Sequence, residues 1–134
     1  MLLPLRFRLP YPPSVNHYWR VMRGRMVIGR RGRDYRAAAA VAVLEQRVPR
    51  ERLDGPLRVS LVAYPPDLRR RDLDNTLKAL LDAIVAIGVI EDDSGIDDLR
   101  VVRGPVRPRG EVEVAIEPIP NETSFVRRNA PTEP

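Results

Sequence analysis

Between Leu57 and Glu117 the spacing of apolar residues changes period twice. Leu57, Val59, Leu61 and Ala63 alternate with Arg58 and Ser60 up to a Pro65-Pro66 stop, the two-residue repeat of a half-buried strand. Leu73, Leu77, Leu80, Leu81, Ile84 and Ile87 then recur every three or four residues, the stripe of an amphipathic helix. The spacing predicts that helix from about Asp74 to Ile87, with Asp72 or Asp74 at its N-cap and Gly88 at its C-cap. Two more strands follow, at about 100–106 and 111–117, joined by a Pro108-Arg109-Gly110 turn. In the second, Val112, Val114 and Ile116 alternate with Glu111, Glu113 and Glu117.

Upstream the pattern is less regular. Leu5, Phe7 and Leu9 alternate with Arg6 and Arg8, which reads as a strand ended by Tyr11-Pro12-Pro13-Ser14. Residues 25–30 read as a short strand between glycine turns at Gly24 and Gly29–Gly32. An alanine-rich helix is expected from about Arg33 to Arg47, carrying Tyr35, Val41 and Leu44, with Val48 just beyond. Residues Pro49 to Pro56 are a connection. The order β-(β)-α-β-α-β-β describes a small single α/β domain with a mixed sheet, taken as residues 1–118; the polar segment 119–134 is expected to be a flexible tail. A chain of 134 residues buries roughly two-thirds of its unfolded surface, enough for a core of its own. No apolar run approaches the ~20 residues that span a bilayer, and Pro and Arg interrupt the N-terminus too often for a signal peptide. A cytoplasmic protein with no membrane partner is the expectation.

Composition removes whole classes of chemistry. With no cysteine there are no disulfides, thiolate metal sites or cysteine nucleophiles, and His17 is the only histidine. Gly29-Arg30-Arg31-Gly32 lacks the Gly-Lys-Ser/Thr of a phosphate loop, so no nucleotide cofactor is expected. The charge is segregated. Residues 1–71 hold 16 arginines against 5 acids, whereas residues 72–98 hold 8 acids against a single lysine. A basic surface attracts polyanions, and an acidic island inside it repels them unless a cation neutralises it.

That island is Asp72-Leu73-Asp74-Asn75, then Lys78, then Glu91-Asp92-Asp93. Clustered carboxylates without histidine or cysteine suit the oxygen-preferring Mg²⁺, with Mn²⁺ as substitute, and such ions drive phosphodiester hydrolysis. Lys78 is the sole lysine beside 22 arginines; its compact ammonium supplies a point charge that a guanidinium does not. Each part also has an ordinary structural reading. Asp72 or Asp74 can cap the helix, Asp74–Lys78 can be an i,i+4 ion pair, and Asp82 can be the helix-face partner of Lys78. Asp92-Asp93 and Asp97-Asp98 can be acidic loop. A helix of about 14 residues is about 21 Å long, so Asp93 reaches Asp72 only if the chain folds back along the helix.

The string Asp72-Leu-Asp74-Asn75-x-x-Lys78, with Asp82, Gly88 and Asp92-Asp93 at their spacings, resembles the RusA family of Holliday junction resolvases. Pro12-Pro13-Ser14-Val15-Asn16 upstream and Asp98-Leu99-Arg100-Val101-Val102 downstream match in the same order, so the resemblance covers about residues 5–117. It implies a homodimeric, Mg²⁺-dependent endonuclease that resolves four-way DNA junctions by paired symmetric nicks in recombination and repair. It places the catalytic carboxylates on Asp72, Asp74 and Asp93 and the essential lysine on Lys78, with Asp92 as an adjacent metal ligand. Asp97 is a departure from the pattern.

A two-fold dimer also suits the substrate, since a junction needs two cuts and one chain carries one carboxylate cluster. Arg69, Arg70 and Arg71 adjoin the acidic site and are expected to grip the DNA backbone. Arg23, Arg25, Arg30 and Arg31 belong to a loop expected to track DNA, and Tyr18 either stacks on an unpaired base there or, with Trp19, joins the core. Asn16 either caps a turn or touches DNA. The readings to be separated from the leading one are a non-catalytic basic nucleic-acid-binding module and a nuclease for another branched or RNA substrate.

Overall fold

The computed structural model describes residues 4–120. Along the chain lie β1 (Leu5–Leu9), the four-residue helix α1 (Val15–Tyr18), β2 (Trp19–Met22), β3 (Arg25–Ile28) and α2 (Arg30–Glu45). Then come β4 (Leu57–Tyr64), α3 (Leu73–Ala86), a 3-10 turn at Asp93–Gly95, β5 (Ile96–Arg103) and β6 (Glu111–Pro118). The main sheet has the order β1-β6-β4-β5, with β4 parallel to β5 and the other neighbours antiparallel, so the sheet is mixed. β2 and β3 form a separate hairpin.

The period-2 residues share one face, as the pleat requires. Leu5, Phe7 and Leu9 of β1, Leu57, Val59, Leu61 and Ala63 of β4, and Val112, Val114 and Ile116 of β6 are all buried. Against them pack α3, through Ala79, Leu80, Ala83 and Ile84, and α2, through Tyr35, Ala39 and Val43. At about 1.5–3 kcal/mol for each large apolar side chain, this contact dominates the stability of the domain. The opposite face of the sheet carries ion pairs: Arg58 with Asp98 (2.8 Å) and Glu117 (3.4 Å), and Arg107 with Glu111 (2.7 Å) and Glu113 (3.1 Å).

Three boundaries differ from the sequence expectation. α2 starts at Arg30, because Gly29 takes the N-cap and Gly32 lies inside the helix against the Tyr18 carbonyl. A Cβ at position 32 would sit 2.5 Å from that oxygen, so this glycine serves close packing rather than a turn. Of the large residues named with that helix, Tyr35 is buried, whereas Val41 and Leu44 are 54% and 67% exposed; the surrounding alanines leave the helix phase unmarked in the sequence. β5 starts at Ile96, so Asp97 and Asp98 belong to a strand and not to an acidic loop. Asp98 stands opposite Arg58 and neutralises it. The folded part extends to Ile119, which is buried and donates its N–H to the Pro56 carbonyl; the expected tail from residue 121 onward lies outside the described residues. Among the described residues no helix is long and apolar enough to cross a membrane.

Candidate active site

After β4 the two prolines Pro65 and Pro66 stop the strand, and the chain turns through Asp67–Asp72 into α3. The Asp67 carboxylate organises this turn. It accepts a hydrogen bond from Arg71 Nη1 (2.7 Å) and from the Arg69 backbone N–H (2.9 Å). These bonds, the Arg71 one first, hold its carboxyl down at about 2. The Arg71 guanidinium also lies 5.7 Å from the centre of the Tyr11 ring, and Arg103 donates to the Arg71 carbonyl. The Tyr11 hydroxyl meets Thr76 Oγ1 at 3.3 Å. Through Tyr11 the segment Pro12-Pro13-Ser14 is drawn beside the first turn of α3, though nearly sixty residues separate them. Between them lies a cavity of about 1090 Å³. Pro12, Pro13, Ser14, His17, Asp72, Asn75 and Thr76 line it, together with Arg31, Arg69, Arg70, Arg71 and Arg109.

Asp72 occupies the N-cap position of α3 with an extended backbone, yet its side chain makes no capping hydrogen bond. Asp74 follows in the first helical turn, where the helix dipole favours negative charge. The i,i+4 pair Asp74–Lys78 is not formed. Among the described residues, Asp72, Asp74 and Lys78 are exposed and have neither ion pair nor side-chain hydrogen bond. Asp82 behaves differently. Its partner is Arg36, not Lys78: it accepts from Arg36 Nη2 (2.6 Å) and Nε (3.1 Å) and from the Tyr18 hydroxyl.

Asp93 does not join Asp72 and Asp74 within one chain. The register sets Leu57 opposite Ile96 and Ala63 opposite Arg103. The Gly95 backbone lies directly against Gly55, just before β4 begins, whereas Arg103, at the far end of β5, reaches the residue before Asp72. The two halves of the acidic motif therefore lie at opposite ends of α3, about 21 Å apart by the rise of a helix of 14 residues. Among the described residues no three acidic or histidine side chains gather round one point that could hold an ion. Asp92 is used locally: the Ser94 hydroxyl donates to its carboxylate and holds its pKa below the usual range.

The basic candidates divide in the same way. Arg69 and Arg70 are exposed beside the cavity, Arg31 enters it from α2, and Arg30 is exposed at the start of that helix. Arg23 sits at the tip of the β2–β3 hairpin and Arg25 opens β3. Arg71 lines the cavity while its guanidinium is held by Asp67. Asn16 is exposed on α1 and does not line the cavity. Tyr18, expected either to stack on a base or to join the core, is fully buried; its hydroxyl belongs to the Asp82–Arg36 network, so it presents no ring face to DNA. Trp19 packs edge-on to it, with ring centres 5.0 Å apart. Sequence reasoning missed Arg109. It lies in the Pro-Arg-Gly turn, and nothing local distinguishes it from the other arginines; only the approach of that turn to Tyr11 and Pro66 brings it to the cavity.

An uncommitted carboxylate, Asp72, at the rim of an arginine-lined cavity in a small mixed α/β domain is a setting that suits an enzyme acting on phosphodiesters. The family model described as Endodeoxyribonuclease RusA matches residues 10–117, and the chain belongs to that family. It is 42% identical over 115 residues to the crossover junction endodeoxyribonuclease rusA of Enterobacteria phage HK97, covering 83% of this chain and 92% of that protein. The crossover junction endodeoxyribonuclease RusA of Escherichia coli strain K12 is 39% identical over 114 residues, covering 85% and 94%. The relative from Enterobacteria phage 82 is 40% identical with the same coverage.

Proposed function

We propose that this chain is a Mg²⁺-dependent endonuclease that resolves four-way DNA junctions by paired symmetric phosphodiester nicks, acting as a homodimer. One observation carries the reading. Asp72 lines a cavity ringed by arginines, and among the described residues it, Asp74 and Lys78 on the first turns of the same helix have no structural partner, so neither helix capping nor i,i+4 pairing accounts for them. A non-catalytic basic module has no use for charges left in that state. Membership of the RusA family supports the same reaction and substrate.

Asp72 and Asp74 fit a Mg²⁺ by their donor chemistry, since that ion commonly takes one or two carboxylates and completes its shell with waters and phosphate oxygens. Bound there, the ion supplies charge stabilisation and an acidified water for phosphodiester hydrolysis. The protein's own groups do the rest. Lys78 sets a compact positive charge against the charge that develops on the phosphate. Arg69, Arg70 and Arg31 hold the DNA backbone; the Asp67–Arg71 pair fixes the loop that presents Arg69 and Arg70, and α2 presents Arg31.

Asp93 is assigned to a site shared between two copies. β5 is an edge strand of the sheet, and Leu99, Val102 and Val106 on and just after it are 40%, 37% and 40% exposed. A two-fold axis at that edge runs the two β5 strands antiparallel, which carries the Asp93 end of one chain toward the Asp72 end of the other. The test is a synthetic four-way junction with Mg²⁺. Paired nicks on the junction and none on linear duplex are expected, and Asp74→Asn abolishes cutting while binding persists or tightens. Mixing Asp74→Asn chains with Asp93→Asn chains regains one intact site per heterodimer. Cutting of linear duplex without junction nicking overturns the reading, and normal cutting by Asp74→Asn overturns the site.

A further inference from the structure

The β2–β3 hairpin carries apolar side chains that the fold does not bury. Its register pairs Trp19 with Ile28 and Val21 with Met26, and these four share one face. At the base of the hairpin Trp19 and Ile28 pack against the core, and the Gly29 N–H closes onto the Tyr18 carbonyl at 2.8 Å. The same face continues outward as Val21, 69% exposed, and Met26, 63% exposed, with none of the described residues over them. Arg20 and Arg25 occupy the other face together with Val27 and Met22, the latter 45% exposed. The tip, Arg23-Gly24, has φ of 52° and 74°, the two-residue reversal that suits a narrow, twisted ribbon. An anchored ribbon whose outer half is apolar and exposed is a candidate contact surface.

Charge identifies the partner. From Trp19 to Arg33 there are six arginines and no acid. Such a surface matches a phosphate backbone, while bare Val and Met side chains match the faces of bases. The segment leads directly into α2, whose Arg31 lines the cavity that Asp72 borders, so one bound nucleic acid serves both. A two-stranded ribbon is of a size to enter a DNA groove, and apolar wedges such as Met, Leu and Ile are used to part base steps there. In a continuous duplex that parting costs stacking energy. At the centre of a four-way junction the stack is already interrupted, so the same insertion costs less.

We propose that the β2–β3 hairpin is a branch-point wedge, in which Val21 and Met26 enter between base pairs at the centre of the junction while Arg20, Arg23 and Arg25 hold the flanking phosphates. The proposal rests on the junction-resolving reading and adds the device that would distinguish a junction from a duplex.

The test uses junctions carrying 2-aminopurine either at the branch point or in the middle of an arm, with the full chain and no divalent ion, so that hydrolysis is stopped. Wild-type protein is expected to raise the fluorescence of the branch-point probe severalfold and to leave the mid-arm probe unchanged. The double variant Val21→Ser/Met26→Ser, checked for an unaltered melting temperature, loses that rise, and its preference for junction over duplex falls about tenfold. Val21→Leu/Met26→Leu restores both. A wild-type protein that binds and cuts junctions, with a branch-point signal that the Ser variant reproduces in full, overturns the wedge and leaves the nuclease reading intact. A wild-type protein that does not bind junctions overturns both. An unchanged junction signal, together with loss of binding to anionic phospholipid vesicles in the Ser variant, overturns the wedge in favour of a lipid surface.

Discussion

Asp74 and Asp82 sit two helical turns apart on α3, and the protein treats them in opposite ways. Asp82 is half-buried and saturated, with two hydrogen bonds from Arg36 and one from Tyr18, so that one carboxylate ties α1, α2 and α3 together. Asp74, with Lys78 a turn later, is exposed and unpaired among the described residues. The first arrangement is what a fold does with a charge it needs for its own assembly. The second leaves charge available to something outside the chain. The contrast makes the two ends of one helix separable by experiment: one should govern activity without stability, the other stability without activity.

The sharpest test of the active end is Lys78. Lys78→Ala is expected to lower junction cleavage by about 10²–10³-fold, the range seen when one group that stabilises transition-state charge is removed. Lys78→Arg is expected to recover little of it, since a guanidinium spreads its charge and fixes its geometry differently. The melting temperature should not move, because no contact is lost. A Lys78→Ala variant that cuts normally, or that melts many degrees lower, breaks the contrast.

At the other end Asp82→Ala strands the Arg36 guanidinium and the Tyr18 hydroxyl together. Hydrogen bonds involving a charged partner are worth about 1.5–3 kcal/mol, so a loss of about 2 kcal/mol and a fall of roughly 8 °C in Tm are expected by calorimetry. Cleavage per folded molecule should stay within about twofold, the residual change being the looser seating of α3. A variant with wild-type Tm and lost activity would move Asp82 into the catalytic site.

This contrast also marks how far the sequence could be read. The strands at β4 and β6 and the helix at α3 were legible because their periods are nearly clean: inward positions are Leu, Val, Ile or Ala except Thr76, and most outward ones are polar, with Val62 and Tyr64 the exceptions on β4. α2 was legible as a helix but not in its phase, because alanine is neutral between core and surface. β2 was hidden because Arg20 and an exposed Val21-Met22 look like loop to any rule based on burial. In the site, Asp72, Asp74 and Lys78 were legible from spacing and from the oddity of a single lysine. What spacing could not say was whether capping and pairing would absorb them; the absence of a cap bond on Asp72 required coordinates. Nor could it pair Asp82 with Arg36, which is 46 residues away. Asp93 shows the limit most plainly. The helix length already implied that it could not reach Asp72 without a fold-back, and β5 runs straight from the far end of the sheet instead.

The smallest effect concerns protons on the saturated side. Burial first, and then the hydrogen bond to Asp82, push the Tyr18 hydroxyl up to about 12 from an ordinary value near 10. Tyr35 is raised in the same direction by burial, its hydroxyl donating to the Pro10 carbonyl at 2.7 Å. Below pH 10 both phenols are protonated in folded and unfolded chains alike, so neither tilts stability with pH. Above it the unfolded chain releases protons that the folded chain still holds, and stability falls as pH rises through the window from about 10 to about 12. Tyr18→Phe removes one of the two contributions. In melting curves taken from pH 8 to 12, the variant should start lower, having lost a hydrogen bond to Asp82, and then decline less steeply than the wild type above pH 10. Parallel curves would mean that Tyr18 is not buried against Asp82 and Arg36 in solution, and the paired half of the comparison would fail first.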